Sequence, residues 1–433
     1  MSPVGGPHAR AATVESSAHR VTARSAPEAR AVCAPSRPGK RTAVPALCTT
    51  EITSWGVLFY AFPVLAPQIS RDTGWSATSV TAAFSAALIV SAVVGLPLGR
   101  YLDRRGPRIV MTSGSLLAVP ALLAVAAATE FQWFAAAWLL VGMSMSAVLY
   151  PPAFAAVTGW FDGTERTRAL TTVTLVGGLA STVFAPLTAV LAGHFSWRTT
   201  YVILALVLAA VTVPLHALCL RSPWPAERAS PARRVHGHRR SVALSRPFLI
   251  LAVAMTLASF AFAAGVINLV PLFVERGASP EVAAWALGIG GAGQVLGRLC
   301  YARLVRRTSV RARTVIAFTA GAVTTLALGL LPGPVLLLIV CSLIAGMVRG
   351  IVTLLQATAV TDRWGAESYA TLSGILAAPV LAATALAPWA GAGIAAALGG
   401  YAALFVVLAA VSAAASLLVG VAERCARAWE MAL

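Results

Sequence analysis

Two arginines, Arg298 and Arg349, sit inside long apolar runs of the sequence. A charged side chain within a membrane-length apolar stretch costs at least ~2.5–3.5 kcal/mol to insert, so each invites a functional account. A guanidinium is planar and always charged, and it holds a carboxylate through two parallel charge-assisted hydrogen bonds. Arg349 falls roughly 18 Å from the inner end of its run at 1.5 Å per residue, too deep to snorkel to either surface. No Asp or Glu is expected at mid-span anywhere in the chain, so these cations point to an anionic ligand. Arg298 lies five residues before Arg303, and for it ligand contact and a structural role at the inner gate both stay open.

Further candidate ligand contacts are Gln294, Asn268, Tyr60, Tyr150 and Gln356. Gln356 is seven residues beyond Arg349 and shares its helix face. Asn268 lies among apolar residues, where an unpartnered amide is costly. The competing reading for each is a helix–helix hydrogen bond, worth roughly 0.6–2 kcal/mol in membranes. His194 and His216 read as interfacial or packing residues.

The elements that must position these groups follow from composition. Apolar residues make up 58% of the 433 and charged residues only 11%, against about 25% charged in soluble domains. So few charges cannot cover the surface of a soluble chain this long, and an all-α membrane protein is expected. The net charge of +18 does not indicate a nucleic-acid partner, because most arginines lie between the apolar runs, where the positive-inside rule puts them. Cys33, Cys48, Cys219, Cys300, Cys341 and Cys425 form no CxxC pair and no zinc-type spacing with histidine. Gly288-Ile-Gly290-Gly-Ala-Gly293 approximates a dinucleotide fingerprint but has no preceding strand, and reads as small residues for helix packing. No catalytic triad, paired carboxylates or phosphate-binding loop is present. No cofactor, metal site or enzymatic centre is expected.

Uncharged stretches at 52–70, 73–99, 109–129, 131–161, 169–197, 199–220, 247–274 and 282–304 are each long enough to span, the last interrupted by Arg298. Pro332-Gly333-Pro334 divides 314–348, and the second piece runs past Arg349 to about Thr361. Gly391, Gly393, Gly399 and Gly400 mark a bend within 368–422. Twelve transmembrane helices result, in two bundles of six. The expected organisation is a disordered basic tail over 1–47, a bundle over 48–220, a linker over 221–246, a second bundle over 247–422 and a tail over 423–433. A transit peptide is the alternative for the Arg-, Ala- and Ser-rich start. If the N-terminus is inside, the outer loops hold only Arg71, Arg198 and Arg276, and 28 of the 33 basic residues are inside. Both termini are therefore expected in the cytoplasm, and the plasma membrane is the expected location.

Between the second and third spans the chain reads Gly99-Arg-Tyr-Leu-Asp103-Arg104-Arg105-Gly106-Pro107-Arg108. Asp103 can accept from a neighbouring helix N-terminus. Gly99 and Gly106 permit close approach and a tight turn. Arg104 and Arg108 can pin the loop to carboxylates of the adjacent inner loop or to headgroups. This stretch resembles the signature loop of the major facilitator superfamily. The second half carries a degenerate echo from Gly297 to Arg307, with Tyr301 in place of the aspartate. The resemblance covers residues 48–422 and implies two six-helix bundles, a cavity lined by the first, fourth, seventh and tenth helices, and Gly99, Asp103, Arg104, Gly106 and Arg108 as a conformational gate.

Three stretches are similar to the monocarboxylate-porter branch and its bacterial relatives. They are Glu51-Ile-Thr-Ser54-Trp55-Gly56 with Tyr60-Ala61-Phe62-Pro63, Trp160-Phe161 with Arg166, Arg168 and Gly177-Gly178, and Arg298 at that branch's substrate-pairing arginine. Gln294 stands where the branch carries a proton-handling aspartate, and Val64 where it carries a lysine. The resemblance implies secondary transport of a small, monocarboxylate-like organic anion by a monomer in a lipid bilayer, with the coupling ion open. A multidrug or other small-molecule efflux permease of the same superfamily is the alternative.

Overall fold

The structure, a computed structural model, describes residues 38–224, 242–364 and 369–430, and within these not the side chains of 38–41, 103, 163, 361, 369–371 and 421–430. Residues 1–37 of the tail expected over 1–47, and residues 225–241 of the linker expected over 221–246, lie outside the described residues. What is described is helical throughout. Eleven stretches are long and apolar enough to cross a membrane. The helix Pro280–Arg307 is equally long, and its apolar character is diluted by Arg298, Gln294 and five glycines. It is the eighth of twelve spans.

Helix starts need acceptors for their free N–H groups, and in lipid these must come from the chain itself. Ser76, Ser279 and Ser309 supply them, accepting from Ser79 N, Val282 N and Ala312 N at 3.0–3.3 Å. The twelfth helix is capped from a distance. Glu275 accepts from Tyr401 N at 2.5 Å and Ala402 N at 3.2 Å. The bend before that helix is at Gly399, with φ +80°, and not at Gly391 or Gly393, which lie inside the eleventh helix, Tyr369–Leu398.

The first span departs most from expectation. Its helix begins at Pro38, some ten residues ahead of the expected boundary at 48. Ala43, Leu47 and Cys48 are buried in a core with Val157, Trp160 and Leu220. Glu51 is consequently thirteen residues into a helix and 0% exposed. A carboxylate does lie within a span, and the expectation that none would is overturned. At the other end the twelfth helix continues to Glu430, where a tail had been expected from 423.

The first span runs as helix to Trp55, a π-helical turn over Gly56–Tyr60, and helix again over Ala61–Thr73. Such a turn adds a residue to one coil and re-aims the side chains on it. It occurs where Gly56 lies against Phe184, at a position whose Cβ would overlap that ring. The fourth span breaks at Leu149, the fifth between Gly177 and Ala180, and the seventh at Asn268.

The two halves meet along the second and eleventh spans and along the fifth and eighth. Trp389 N donates to Ser85 Oγ at 3.0 Å across the first seam, and Thr182 Oγ1 to the Gly288 carbonyl at 2.9 Å across the second. The short helix Leu269–Glu275 adds contacts to the far end of the first span. Small residues make the fifth–eighth seam close: Ala185 and Ala189 share a buried cluster with Ala283, Ala284 and Leu287.

Candidate functional site

The eighth and tenth helices bring Arg298 and Arg349 to the interior by packing backbone on backbone. Gly293 and Gly297 face Leu343 and Met347, and Gly346 faces Gly290, so closely that a Cβ on Gly293, Gly297 or Gly346 would strike main chain. Gly288 and Gly291 instead face Pro186, Ser181 and Thr182 of the fifth span. The fingerprint-like sequence is thus a two-sided packing surface. Gly290 also makes room for Arg349, since a Cβ there would lie 3.1 Å from Nη2.

Arg349 borders a cavity of about 170 Å³ with Ser259, Gln294, Gln356 and Thr384. Among the described residues no acceptor is in hydrogen-bond reach of its guanidinium, and the ion pairs found there belong to Arg166 and Arg313. Its electrostatic neighbour is Tyr60 of the first span. Tyr60 lies beside Ser181 of the fifth span and also feels Arg298.

Arg298 is differently employed. It donates from Nη1 to the Thr174 carbonyl, where the fifth span breaks, and to the Tyr150 hydroxyl on the fourth. Its Nε is buried and unpartnered. The side chain therefore crosses from the second bundle to the first, between residues 124 apart in sequence. Tyr150 packs on Trp55 at 5.1 Å between ring centroids. Trp55 Nε1 donates to Glu51 Oε2 at 3.1 Å, while Oε1 of that carboxyl has no partner.

The structure thus joins Arg349, Arg298, Tyr60 and Tyr150 into one constellation between the bundles, with Gln294 on the same cavity. Gln356 shares the cavity, but its Nε2 is bound to Ser259 Oγ at 2.6 Å, a helix–helix bond. Asn268 is elsewhere. Its amide donates to its own helix at Ala264 O, 2.9 Å, and it lines a separate cavity of about 350 Å³ near Arg71 and Glu275. His216 is a packing residue bonded to Ser115 at 2.8 Å, and the exposed His194 bonds its own helix at Val190 O. Reading the sequence placed Glu51 in a motif but not among the site residues, and missed Ser181. An acidic residue four before a tryptophan was the available signal for Glu51, and nothing marked Ser181.

In the loop after the second span, Gly106 has φ +80° and supports the tight turn. Its α-carbon abuts Trp224, whose indole also covers Gly159. Gly99 makes no close approach, with nothing near its α-face. Arg108 Nε donates to the Ala217 carbonyl at 2.9 Å, so it pins the loop to the end of the sixth span. Arg104 is exposed, and the side chain of Asp103 lies outside the described residues. In the second half Tyr301 bonds Thr358 at 3.1 Å, and Arg313 pairs with Asp362.

Comparison with known proteins agrees with this architecture. Monocarboxylate transporter 13 of Bos taurus is 29% identical over 265 residues, 59% of this chain and 57% of that protein. Multidrug resistance protein MdtL of Shigella flexneri serotype 5b is 27% identical over 234 residues, 52% of this chain and 57% of that protein. The match therefore spans just over half the length of these relatives. A bacterial homologue of the human lysosomal transporter Spinster, solved inward-facing and occupied, superposes with a TM-score of 0.69 at 16% identity, over 90% of this chain and 98% of that one. The family model for the Major Facilitator Superfamily matches residues 47–378. With twelve spans in two seamed bundles and the loop around Gly106 in place, the chain is a multi-pass membrane protein that belongs to the Major Facilitator Superfamily.

Proposed function

We propose that the protein is a secondary transporter of a small, monocarboxylate-like organic anion, working by alternating access as a monomer in the plasma membrane with both termini cytoplasmic. The observation that carries this reading is the guanidinium of Arg349, held at mid-span without a protein acceptor among the described residues. A carboxylate placed there completes a charge-assisted pair inside the cavity, and differential binding of that pair in the two access states shifts the exchange. Arg298 ties the bundles together at the Thr174 carbonyl and acts as a gate strut more than a ligand contact. Gln294 offers an amide in place of an ionisable group on the same cavity wall, so a proton carrier, where coupling involves one, sits elsewhere.

A multidrug permease is the second reading, favoured by the buried Glu51 and by the similarity to MdtL. Glu51 lies beneath Trp55 and is 0% exposed, so a bulky cation does not reach it without displacing the indole. This arrangement favours the anion. Uptake of radiolabelled organic acids into proteoliposomes, with and without an imposed pH gradient, tests the proposal against a parallel panel of lipophilic cations. Uptake of cations and of no acid would overturn it.

The loop motif gives a kinetic prediction. Asp103→Asn is expected to lower turnover while leaving equilibrium affinity within a few-fold, since the residue lies at the end of the second span, far along the chain from the ligand groups. Binding and transport rates measured on the same preparation separate the two. A large loss of affinity at normal turnover would count against a gating role.

A further inference from the structure

We infer that the anion carries an aromatic body, which lies on a run of open rings in the first and fourth spans while its carboxylate meets Arg349. The inference rests on the anion reading above and narrows it to a ligand class. Tyr60, Phe59, Trp55, Tyr150 and Phe154 form consecutive ring contacts with centroids 5.1, 5.4, 5.1 and 5.0 Å apart. All five are only half-buried. The neighbouring Phe62, Phe84 and Trp138 are 0% exposed and serve as bundle core; Phe59 packs on Phe84 with centroids 5.4 Å apart, so the open run extends outward from that core.

The run lies on enclosed helices. The first and fourth spans are the most enclosed in the molecule, with 61% of their apolar windows buried against 33% for the second and 28% for the sixth. Tyr60 at one end of the run and Tyr150, next to the other end, are also held by groups at the boundary between the bundles. Tyr60 touches Ser181 and feels Arg349, and Tyr150 accepts from Arg298. The run therefore passes beside both guanidinium groups at the boundary between the bundles.

The rings are rigidly presented. Trp55 is tied through Nε1 to Glu51, which acts as a positioning residue and thereby accounts for a carboxyl inside a span. The π-helical turn sets Phe59 and Tyr60, and Gly56 pressed on Phe184 fixes that turn. A surface ordered in advance loses little freedom on binding, and aromatic pairs prefer the offset and edge-on geometries that such a run offers. A two- or three-carbon acid satisfies Arg349 but leaves the rings uncovered. An acid with a fused or single ring covers both.

Calorimetric titration of the purified full chain with indole-3-acetate, cyclohexylacetate and acetate tests the inference. Indole-3-acetate is expected to bind at least about tenfold more tightly than acetate, and more tightly than cyclohexylacetate, each ring pair being worth about two- to tenfold. In Trp55→Ala the ratio of indole-3-acetate to acetate affinity is expected to fall by roughly tenfold, and Trp55→Phe is expected to keep most of it. Equal affinities for the three acids in the wild-type protein overturn the aromatic inference and leave the anion reading standing, whether or not the variants fold. An unchanged ratio in a monodisperse Trp55→Ala protein overturns it too. Failure of all three acids to bind, with retention of the neutral indole-3-acetamide, brings down the anion reading itself.

Discussion

An Arg349→Ala protein is expected to lose binding of its anion by roughly 30- to several-thousand-fold. Truncating one partner of a desolvated charge pair typically costs about 2–5 kcal/mol, and each 1.4 kcal/mol is about a decade in affinity. The fold should survive, because the guanidinium accepts no structural duty. It has no acceptor among the described residues, and its removal orphans no buried oxygen. Arg313 provides the contrast. It is paired with Asp362, and its removal leaves a carboxylate without its cation, so Arg313→Ala is expected to lower stability where Arg349→Ala does not. Arg349→Lys should recover only part of the affinity, since lysine restores charge without the planar fork. Equilibrium binding on protein shown to be monodisperse in detergent decides the matter. Wild-type affinity in the alanine variant would remove the anion anchor from the site.

How far the site could be read from sequence depends on the physical reach of each signal. Arg349 was legible because an isolated cation in an apolar run is costly wherever the run packs. The twelve spans and the loop from Gly99 to Arg108 were legible for related reasons, being written in local hydropathy, charge and turn chemistry. Glu51 was not. Residues 38–50 are too polar to read as a span, and they enter the bundle only because the fifth and sixth spans cover them. The partner of Arg298 was equally hidden, since the Thr174 carbonyl is a backbone atom in the other bundle. Asn268 illustrates the reverse error. A polar side chain in an apolar run looked like a ligand contact, whereas its amide is satisfied within its own helix. The glycines of the eighth helix fall between these cases, their packing role readable but not which of them face the tenth helix and which the fifth.

That division of labour among the glycines carries the second large effect. Gly346→Val is expected to prevent the second bundle from assembling, because a Cβ at this position lands on the main chain of Gly290, with its Cα at 3.0 Å. Backbone cannot rotate out of the way as a side chain can. The cost should exceed the ~1–3 kcal/mol typical of overpacking a core, and membrane helices have no hydrophobic drive between them to offset it. Gly350 and Gly297 meet main chain of Gln294 and Met347 in the same way, so the contact repeats along the helix and cannot be relieved by a small tilt. Gly374 is the control. Nothing lies within 4 Å of a Cβ there, and Gly374→Ala should be neutral or stabilising by up to ~1 kcal/mol through helix propensity. Thermal unfolding and size-exclusion profiles of the two variants in one detergent compare them directly. A Gly346→Val protein that elutes as a single species and unfolds at the wild-type temperature would show that the eighth and tenth helices need not touch at all.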